Sequence, residues 1–199
     1  MKRIEEVCRK RDIFLIIDDI QAGVGRTGSF FSFEPAGIQP DIICLSKSIG
    51  GYGLPFAITL IKPEHDIWEP GEHNGTFRGN NLAFVTATEA LQFWKDNTLE
   101  KEVKDKGKIV QDRLEKIVNH VPSLNGEVRG RGLMMGLACG VEGAGSDICC
   151  QAFEKGLILE TAGINDEVVK VMPPLTIKKK VLEEGLDILE ESVQAVVRQ

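Results

Sequence analysis

Two short, uninterrupted apolar runs stand out early in the chain, at residues 13–17 and 42–45. Neither run alternates apolar with polar residues, a pattern typical of strands that are buried on both faces of a parallel sheet. Asp18 ends the first run, and Ser46 and Lys47 follow the second. Ligands of such sheets bind outside the carboxyl ends of the strands, so we expect Asp18 and Lys47 to face one crevice.

The rest of the first half predicts helices and one more strand around these runs. The spacing of Ile4, Val7 and Cys8 predicts a short amphipathic helix ahead of the first strand. Residues 56–61 predict a third strand, residues 62–80 a loop rich in glycine and proline, and residues 81–94 a helix.

The pattern changes near residue 97. Asn97 and Glu100 resemble a capping box, and a long charged helix is predicted after them. Further on, the pattern predicts glycine-broken strand at 128–138, a helix at 147–155, strands at 157–160 and 168–172, and a final helix capped by Thr176. The predicted core positions of the two long helices are Leu99, Val103, Val110, Leu114 and Ile117, and then Leu182, Leu186, Leu189, Val193 and Val197.

These elements predict two domains of the α/β class. Residues 1–97 would form part of a larger α/β domain with a mostly parallel sheet, and residues 98–199 a smaller α+β domain.

Composition narrows the classes of function. The 199 residues are 42% apolar and 27% charged, as in an ordinary soluble globular protein, and the net charge of −6 argues against general binding to nucleic acid or to an anionic membrane. No apolar stretch has the length of a membrane span, and no secretory signal is recognisable at the N-terminus. The five cysteines form no CxxC pair, so a reducing cytoplasm is the expected location.

Residues 23–28 match the pattern GxGxxG of dinucleotide-binding loops. In that motif the first glycine directly follows a strand and the last one opens a helix. Here Asp18 to Ala22 intervene, and the segment Ser29 to Pro35 is a poor helix start. A nicotinamide-binding module is therefore a distant alternative, and the glycines are better explained as turns near a ligand.

A lysine and an aspartate at neighbouring strand ends suit a pyridoxal phosphate enzyme. The lysine amine forms a Schiff base with the cofactor, and the aspartate meets its pyridinium nitrogen. The ordinary alternatives are a solvated lysine and a helix-capping aspartate. No metal site is predicted, because Asp18 and Asp19 point to opposite faces and no histidine or cysteine ligand spacing accompanies them.

Several segments, taken in order, resemble the class III pyridoxal phosphate-dependent aminotransferases. They are residues 15–21, 23–28, 40–42 and 46–47, followed by Gly50-Gly51 and Pro55. The resemblance implies the type I fold of PLP-dependent transferases, with pyridoxal 5′-phosphate as cofactor. It covers nearly the whole chain but only the C-terminal part of the family's length.

The resemblance implies a role for each of five residues. Lys47 would be the Schiff-base lysine and move the proton, and Asp18 would keep the ring nitrogen protonated. Ile20 would pack on the ring face, Gln21 would bind the phenolic oxygen, and Thr76 would bind the cofactor phosphate across a dimer interface. Plain core packing for Ile20 and an ordinary turn for Thr76 are the alternatives.

Two positions depart from the family pattern. Many members have arginine where this chain has Lys170, and that arginine clamps a substrate carboxylate. Lysine cannot form the bidentate fork, so Lys170 either binds the carboxylate as a point charge or recognition lies elsewhere. Asp19 stands where glutamate is usual, and we expect it to be a surface or supporting carboxylate without chemistry of its own.

Residues 72–81, 155–161 and 168–175 resemble one branch of the class more closely. This resemblance implies transfer of an amino group from glutamate to aspartate 4-semialdehyde, in the setting of ectoine synthesis. The expected partners are amino-acid and 2-oxo-acid substrates and at least a second copy in a homodimer, with no nucleic acid or membrane. The alternatives are another ω-amine transaminase, of the 4-aminobutyrate or ornithine type, and a non-catalytic fragment or interaction module.

Overall fold

A computed structural model describes residues 1–197. Its backbone contacts divide the chain into two compact units, the first from Met1 to Glu100 and the second from Lys101 onward. The elements of the first unit are α1 (Lys2–Lys10), β1 (Ile16–Asp18), β2 (Ile42–Leu45), β3 (Ile58–Ile61) and α2 (Asn81–Ala90). Short 3-10 helices lie at Glu34–Ala36, Lys47–Gly50, Pro63–His65 and Leu91–Trp94.

The first unit contains a three-stranded sheet in the order β1-β2-β3. Strands β1 and β2 are parallel and pair Asp18 with Cys44, whereas β3 is antiparallel to β2. Both parallel strands therefore end at the same edge of the sheet. This sheet with its helices is an α/β arrangement, as the sequence predicts.

Burial along the first apolar run alternates. Leu15 and Ile17 are buried against Cys8 and Ile38, whereas Phe14 and Ile16 are more than half exposed. The expectation that this strand is covered on both faces is wrong for the described residues. Successive side chains of a strand point to opposite faces, and within residues 1–197 the packed cluster lies on one of them.

A buried carboxylate ties helix α1 to the sheet. Asp41, 3% exposed, accepts hydrogen bonds from the Leu15 backbone N–H at 2.8 Å, from Arg9 Nη1 at 2.6 and 2.8 Å, and from Lys62 Nζ at 2.8 Å. Burial alone raises the pKa of this carboxyl, but the three donors lower it more, so its pKa is held well below the ordinary range.

The second unit is built on a four-stranded antiparallel sheet in the order β4-β5-β7-β6. Its strands are β4 (Glu127–Arg131), β5 (Met134–Ala138), β6 (Glu160–Ala162) and β7 (Val168–Val171). Its helices are α3 (Thr98–His120), which begins at the end of the first unit, α4 (Ala144–Glu154) and α5 (Lys179–Val197). A short 3-10 helix lies at Pro122–Leu124.

The predicted core faces of the two long helices are confirmed. The five α3 positions are 0–8% exposed, and four of the five α5 positions are 0–3% exposed, with Val197 only half-buried. The helix starts differ in detail. Asp96, rather than Asn97, accepts the Thr98 backbone N–H at 2.8 Å, and α5 begins three residues after Thr176.

Other elements also differ in detail from prediction. The segment 128–138 folds as the hairpin β4–β5, and β6 begins at Glu160 instead of Leu157. Of the residues predicted to form the buried side of α1, Cys8 is buried, while Ile4 and Val7 are about half exposed. None of the helices within residues 1–197 combines the length and the apolar character that crossing a membrane requires.

Candidate active site

Asp18 lies at the end of β1 and Lys47 lies just after the end of β2. These two parallel strands end at the same edge of the sheet. Asp18 is the last residue of β1 and is paired with Cys44, three positions before Lys47. The backbone N–H of Asp19 donates to the Cys44 carbonyl at 3.0 Å, which extends the pairing beyond β1. The strand pairing thus brings the carboxylate and the amine to one edge, as the apolar runs predict.

Lys47 begins the 3-10 helix that leaves β2, with the left-handed backbone angle φ of 54°. Such a conformation is unusual for a residue with a Cβ and is concentrated at functional sites. Its side chain is exposed, and no ion pair within residues 1–197 involves it. The amine is therefore available for chemistry that a paired ammonium could not perform.

The Asp18 side chain is exposed and only partly engaged. Its Oδ1 accepts the backbone N–H of Ile20 at 3.1 Å, which fixes the turn after the strand. No hydrogen bond to the other oxygen is found in the described part of the chain. That oxygen is available to accept a hydrogen bond from the protonated ring nitrogen of a cofactor.

Asp19 is fully buried, so of the two expected roles it has that of a supporting carboxylate and not that of a surface one. Its Oδ2 accepts the Ser32 backbone N–H at 2.9 Å, and its carbonyl accepts the Gly23 N–H at 2.9 Å. A Cβ on Gly23 would lie 2.6 Å from both the carbonyl oxygen and Oδ2 of Asp19. Asp19 therefore fastens the loop that follows Asp18, and glycine at position 23 permits the close approach.

The segment Gly23–Gly28 is a packed turn. The N–H groups of Gly25 and Gly28 donate to the carbonyls of Phe30 and Gly25 at 3.2 and 3.0 Å, so they are not free to bind a pyrophosphate. Gly25, with φ of 84°, lies against the Trp94 ring, where a Cβ would be 2.0 Å from Cη2. No helix begins at Gly28, and the next one is the short 3-10 helix at Glu34–Ala36, which removes the structural basis of a nicotinamide-binding loop.

Ile20 and Gln21 lie in the turn between Asp18 and the glycine loop. Ile20 is half-buried and Gln21 is exposed. A role for Ile20 against a cofactor ring and for Gln21 toward a phenolic oxygen stays a prediction.

Thr76 lies in the exposed connection between β3 and α2. The end of this connection is anchored: Asn80 caps α2 by accepting the Leu82 N–H at 2.9 Å, and Gly79 lies against the ring of Phe84. Arg78, two residues after Thr76, donates from Nη2 to the His73 carbonyl at 2.9 Å and to Asn74 Oδ1 at 3.2 Å.

Lys170 lies on β7 in the second unit, opposite Glu160 of β6. Its Nζ is 2.6 Å from Glu160 Oε2, and its side chain is 26% exposed. The ammonium is therefore already neutralised by a cross-strand carboxylate.

Sequence reasoning missed three contributors to this arrangement. The burial of Asp19 and the multiple partners of Asp41 arise from contacts between segments far apart in sequence. Arg78 carried a usable signal, because it follows Thr76 in the segment that the closer resemblance includes. Within the described residues, no group of histidine, cysteine and acidic side chains has the arrangement of a metal site.

Comparison with known proteins shows the family of this chain. The profile described as "Aminotransferase class-III" matches residues 1–193. This chain belongs to the class III aminotransferases.

Individual relatives within this family are similar to the chain over nearly its whole length. Diaminobutyrate–2-oxoglutarate transaminases from Oceanobacillus iheyensis and Sporosarcina pasteurii are 62% and 64% identical to the chain over 99% and 100% of its length. The matched regions are 46% and 47% of those relatives, so the chain spans about half the length of the curated relatives it matches.

Solved structures show the same architecture at lower identity. An ornithine aminotransferase from Toxoplasma gondii matches with a TM-score of 0.88 and 30% identity, covering 98% of this chain and 46% of that one. An N-acetylornithine aminotransferase from Stenotrophomonas maltophilia matches with a TM-score of 0.85 and 32% identity, covering 99% and 51%. The chain thus has part of the type I fold of PLP-dependent transferases.

The residues at the sheet edge fit pyridoxal phosphate. The cofactor requires an amine without an acidic partner and an acceptor for its ring nitrogen. Lys47 and the unengaged oxygen of Asp18 supply these groups at the ends of the parallel strands.

Proposed function

We propose that this chain is part of a pyridoxal phosphate-dependent transaminase that converts glutamate and aspartate 4-semialdehyde into 2-oxoglutarate and 2,4-diaminobutyrate. Relatives that are 60–64% identical and carry the name of this activity support the substrate assignment. The observation that carries the chemistry is the placement of Asp18 and Lys47 at one edge of the parallel strands, with no ion pair to Lys47 within residues 1–197.

Lys47 holds the cofactor through its ε-amino group. The same amine would move a proton at the substrate carbon that bears the amino group. When bound, the pyridoxal ring supplies an electron sink for the negative charge that develops on that carbon.

The remaining predicted residues orient the reacting groups. Asp18 keeps the ring nitrogen protonated, Ile20 covers one ring face, and Gln21 donates to the phenolic oxygen. Thr76 donates its hydroxyl to the cofactor phosphate, and the exposed loop that carries it suits a residue that acts on a second subunit.

The resemblance assigns Lys170 to a substrate carboxylate, which its ammonium would bind as a point charge instead of through a bidentate fork. Its pairing with Glu160 weakens this role, because a substrate carboxylate would have to compete with one that is already 2.6 Å away.

At least a homodimer is proposed. Tyr52 and Phe77 in the first unit are 97% and 96% exposed, and Leu82 and Val85 on α2 are both 67% exposed. Large apolar side chains that are left to solvent mark protein–protein interfaces when they form a contiguous patch. Amino-acid and 2-oxo-acid substrates are the other expected partners.

The proposed setting is ectoine synthesis in the cytoplasm. Five free cysteines fit a reducing compartment. The similarity to ornithine and acetylornithine aminotransferases keeps another ω-amine substrate as the second candidate.

An amino-donor panel tests the substrate assignment. We define the chimera as the Sporosarcina pasteurii relative in which this chain replaces the matching segment, with Lys47→Ala as its inactive control. Transamination of 2-oxoglutarate by 2,4-diaminobutyrate, exceeding that by ornithine or 4-aminobutyrate, is the expected result. A preference for ornithine would contradict the assignment, and loss of all activity with the cofactor still bound would favour a non-catalytic module.

A further inference from the structure

The proposed substrates carry carboxylates that need a cation. Glutamate has two carboxylates and diaminobutyrate has one, and a guanidinium recognises such a group best because it donates two parallel hydrogen bonds. The cation should not already be neutralised by an acidic side chain of the protein.

Lys170 does not meet this requirement. Its ammonium lies 2.6 Å from the carboxylate of Glu160, with the two residues directly opposite on neighbouring strands. A second carboxylate at the same ammonium would be repelled by the first.

Arg78 meets it. Within residues 1–197 its guanidinium takes part in no ion pair, and its two acceptors, the His73 carbonyl and Asn74 Oδ1, are both neutral. Both of these bonds use Nη2, so Nη1 and Nε remain without a partner in the described chain. The acceptors orient the planar group without consuming its charge or all of its donors.

The position of Arg78 places it near the predicted phosphate contact. Its Cα is at most about 7 Å from that of Thr76, because the two residues are two positions apart in the chain. Neither Gly79 nor Asn80 carries a charge, and both residues anchor the segment to α2. Arg78 is exposed, so its long side chain is accessible to a ligand.

We propose that Arg78 binds the carboxylate of the amino-acid substrate and thereby determines specificity for carboxylate-bearing amines. The proposal rests on the proposed transaminase function and on Thr76 acting at the cofactor site. A phosphate oxygen is chemically similar to a carboxylate oxygen, so the experiment must separate the two anions.

The test compares Arg78→Ala and Arg78→Lys with the wild-type chimera. Arg11→Ala is the matched control, because Arg11 is also exposed and lies outside the site. Three quantities are measured: the KM and kcat for diaminobutyrate, the dissociation constant of pyridoxal phosphate, and the dissociation constant of glutarate. Glutarate is a dicarboxylate without an amino group, so its binding is independent of turnover.

We expect Arg78→Ala to raise the KM for diaminobutyrate and the dissociation constant of glutarate by about tenfold or more. Arg78→Lys should recover part of this loss, kcat and cofactor affinity should stay within about twofold, and Arg11→Ala should match wild type.

Other outcomes overturn the proposal in distinguishable ways. Weakened cofactor binding with unchanged glutarate binding would assign Arg78 to the phosphate. Unchanged affinity for both anions in Arg78→Ala would show that another residue binds the carboxylate. A carboxylate-specific loss in Lys170→Ala alone would show that Lys170 binds it. If the wild-type chimera binds glutarate in an Arg78-dependent way but does not transaminate diaminobutyrate, the proposed substrate fails while the anion site stands.

Discussion

Replacing Asp41 tests whether one buried carboxylate holds the first unit together. In Asp41→Asn the side-chain oxygen can still accept the Leu15 N–H, but the negative charge that pairs with Arg9 and Lys62 is lost. In Asp41→Ala the Leu15 N–H also loses its acceptor. The two variants therefore separate the contribution of charge from that of the buried backbone hydrogen bond.

The expected loss of stability depends on how exposed the cationic partners of Asp41 are. Charge-assisted hydrogen bonds contribute about 1.5–3 kcal/mol each, but Arg9 is 41% and Lys62 28% exposed, so both cations regain water when the carboxylate is removed. We expect Asp41→Asn to lower the free energy of unfolding by about 2 kcal/mol. An unsatisfied Leu15 N–H adds about 1–3 kcal/mol in Asp41→Ala.

Tryptophan fluorescence during urea unfolding measures this effect. Trp68 and Trp94, the two tryptophans of the chain, both lie in the first unit with Asp41. Asp66→Asn is the matched control, because Asp66 is exposed in the same unit, and it should stay within about 0.5 kcal/mol of wild type. An Asp41→Asn variant as stable as this control would refute the reasoning.

The pH dependence gives an independent check. The folded-state pKa of Asp41 is lowered, so its stabilisation is present above the unfolded-state pKa of about 3.9 and is lost as the pH falls toward the folded-state pKa. The stability difference between wild type and Asp41→Asn should therefore shrink from about pH 5 downward. A difference that is constant between about pH 5 and pH 2 would contradict the assignment.

Three further predictions concern packing and reactivity. Gly25→Ala should lower stability by at least about 2 kcal/mol in the same fluorescence assay, because the new methyl group would overlap the Trp94 ring and the residue has positive φ. Leu137→Ala should lower the stability of the second unit by about 2–5 kcal/mol, measured by circular dichroism, because Leu137 is fully buried. Burial raises the pKa of the Cys139 thiol to about 11, so iodoacetamide at about pH 8 should label the exposed Cys150 while Cys139 stays unlabelled until the protein unfolds. Equal labelling of the two thiols in the folded protein would contradict this burial.

Local pattern was sufficient for much of the fold. The spacing of Val110, Leu114 and Ile117 predicts the buried face of α3 because side chains three and four positions apart share one side of a helix. The two apolar runs predict β1 and β2 because short uninterrupted apolar stretches are typical of buried strands. The antiparallel direction of β3 was beyond this reasoning, since strand direction depends on how the chain returns to the sheet.

The positions of Asp18 and Lys47 were predictable, but the environments of the candidate site residues were not. The apolar runs place Asp18 and Lys47 at strand ends. The burial of Asp19 depends instead on the loop around Ser32, thirteen positions away. The pairing of Lys170 with Glu160 depends on strand register, which the individual apolar patterns do not specify. Burial and charge pairing are properties of contacts between segments, so sequence spacing alone does not reveal them.

The most direct test of the account is the visible absorption of the chain after incubation with pyridoxal phosphate and removal of free cofactor. The account predicts an absorption band that is retained by the wild-type chain, absent from Lys47→Ala, and bleached by glutamate or diaminobutyrate. A band of the same size in Lys47→Ala would contradict the central claim, because the cofactor would then be held by other lysines and not by the amine at the end of β2.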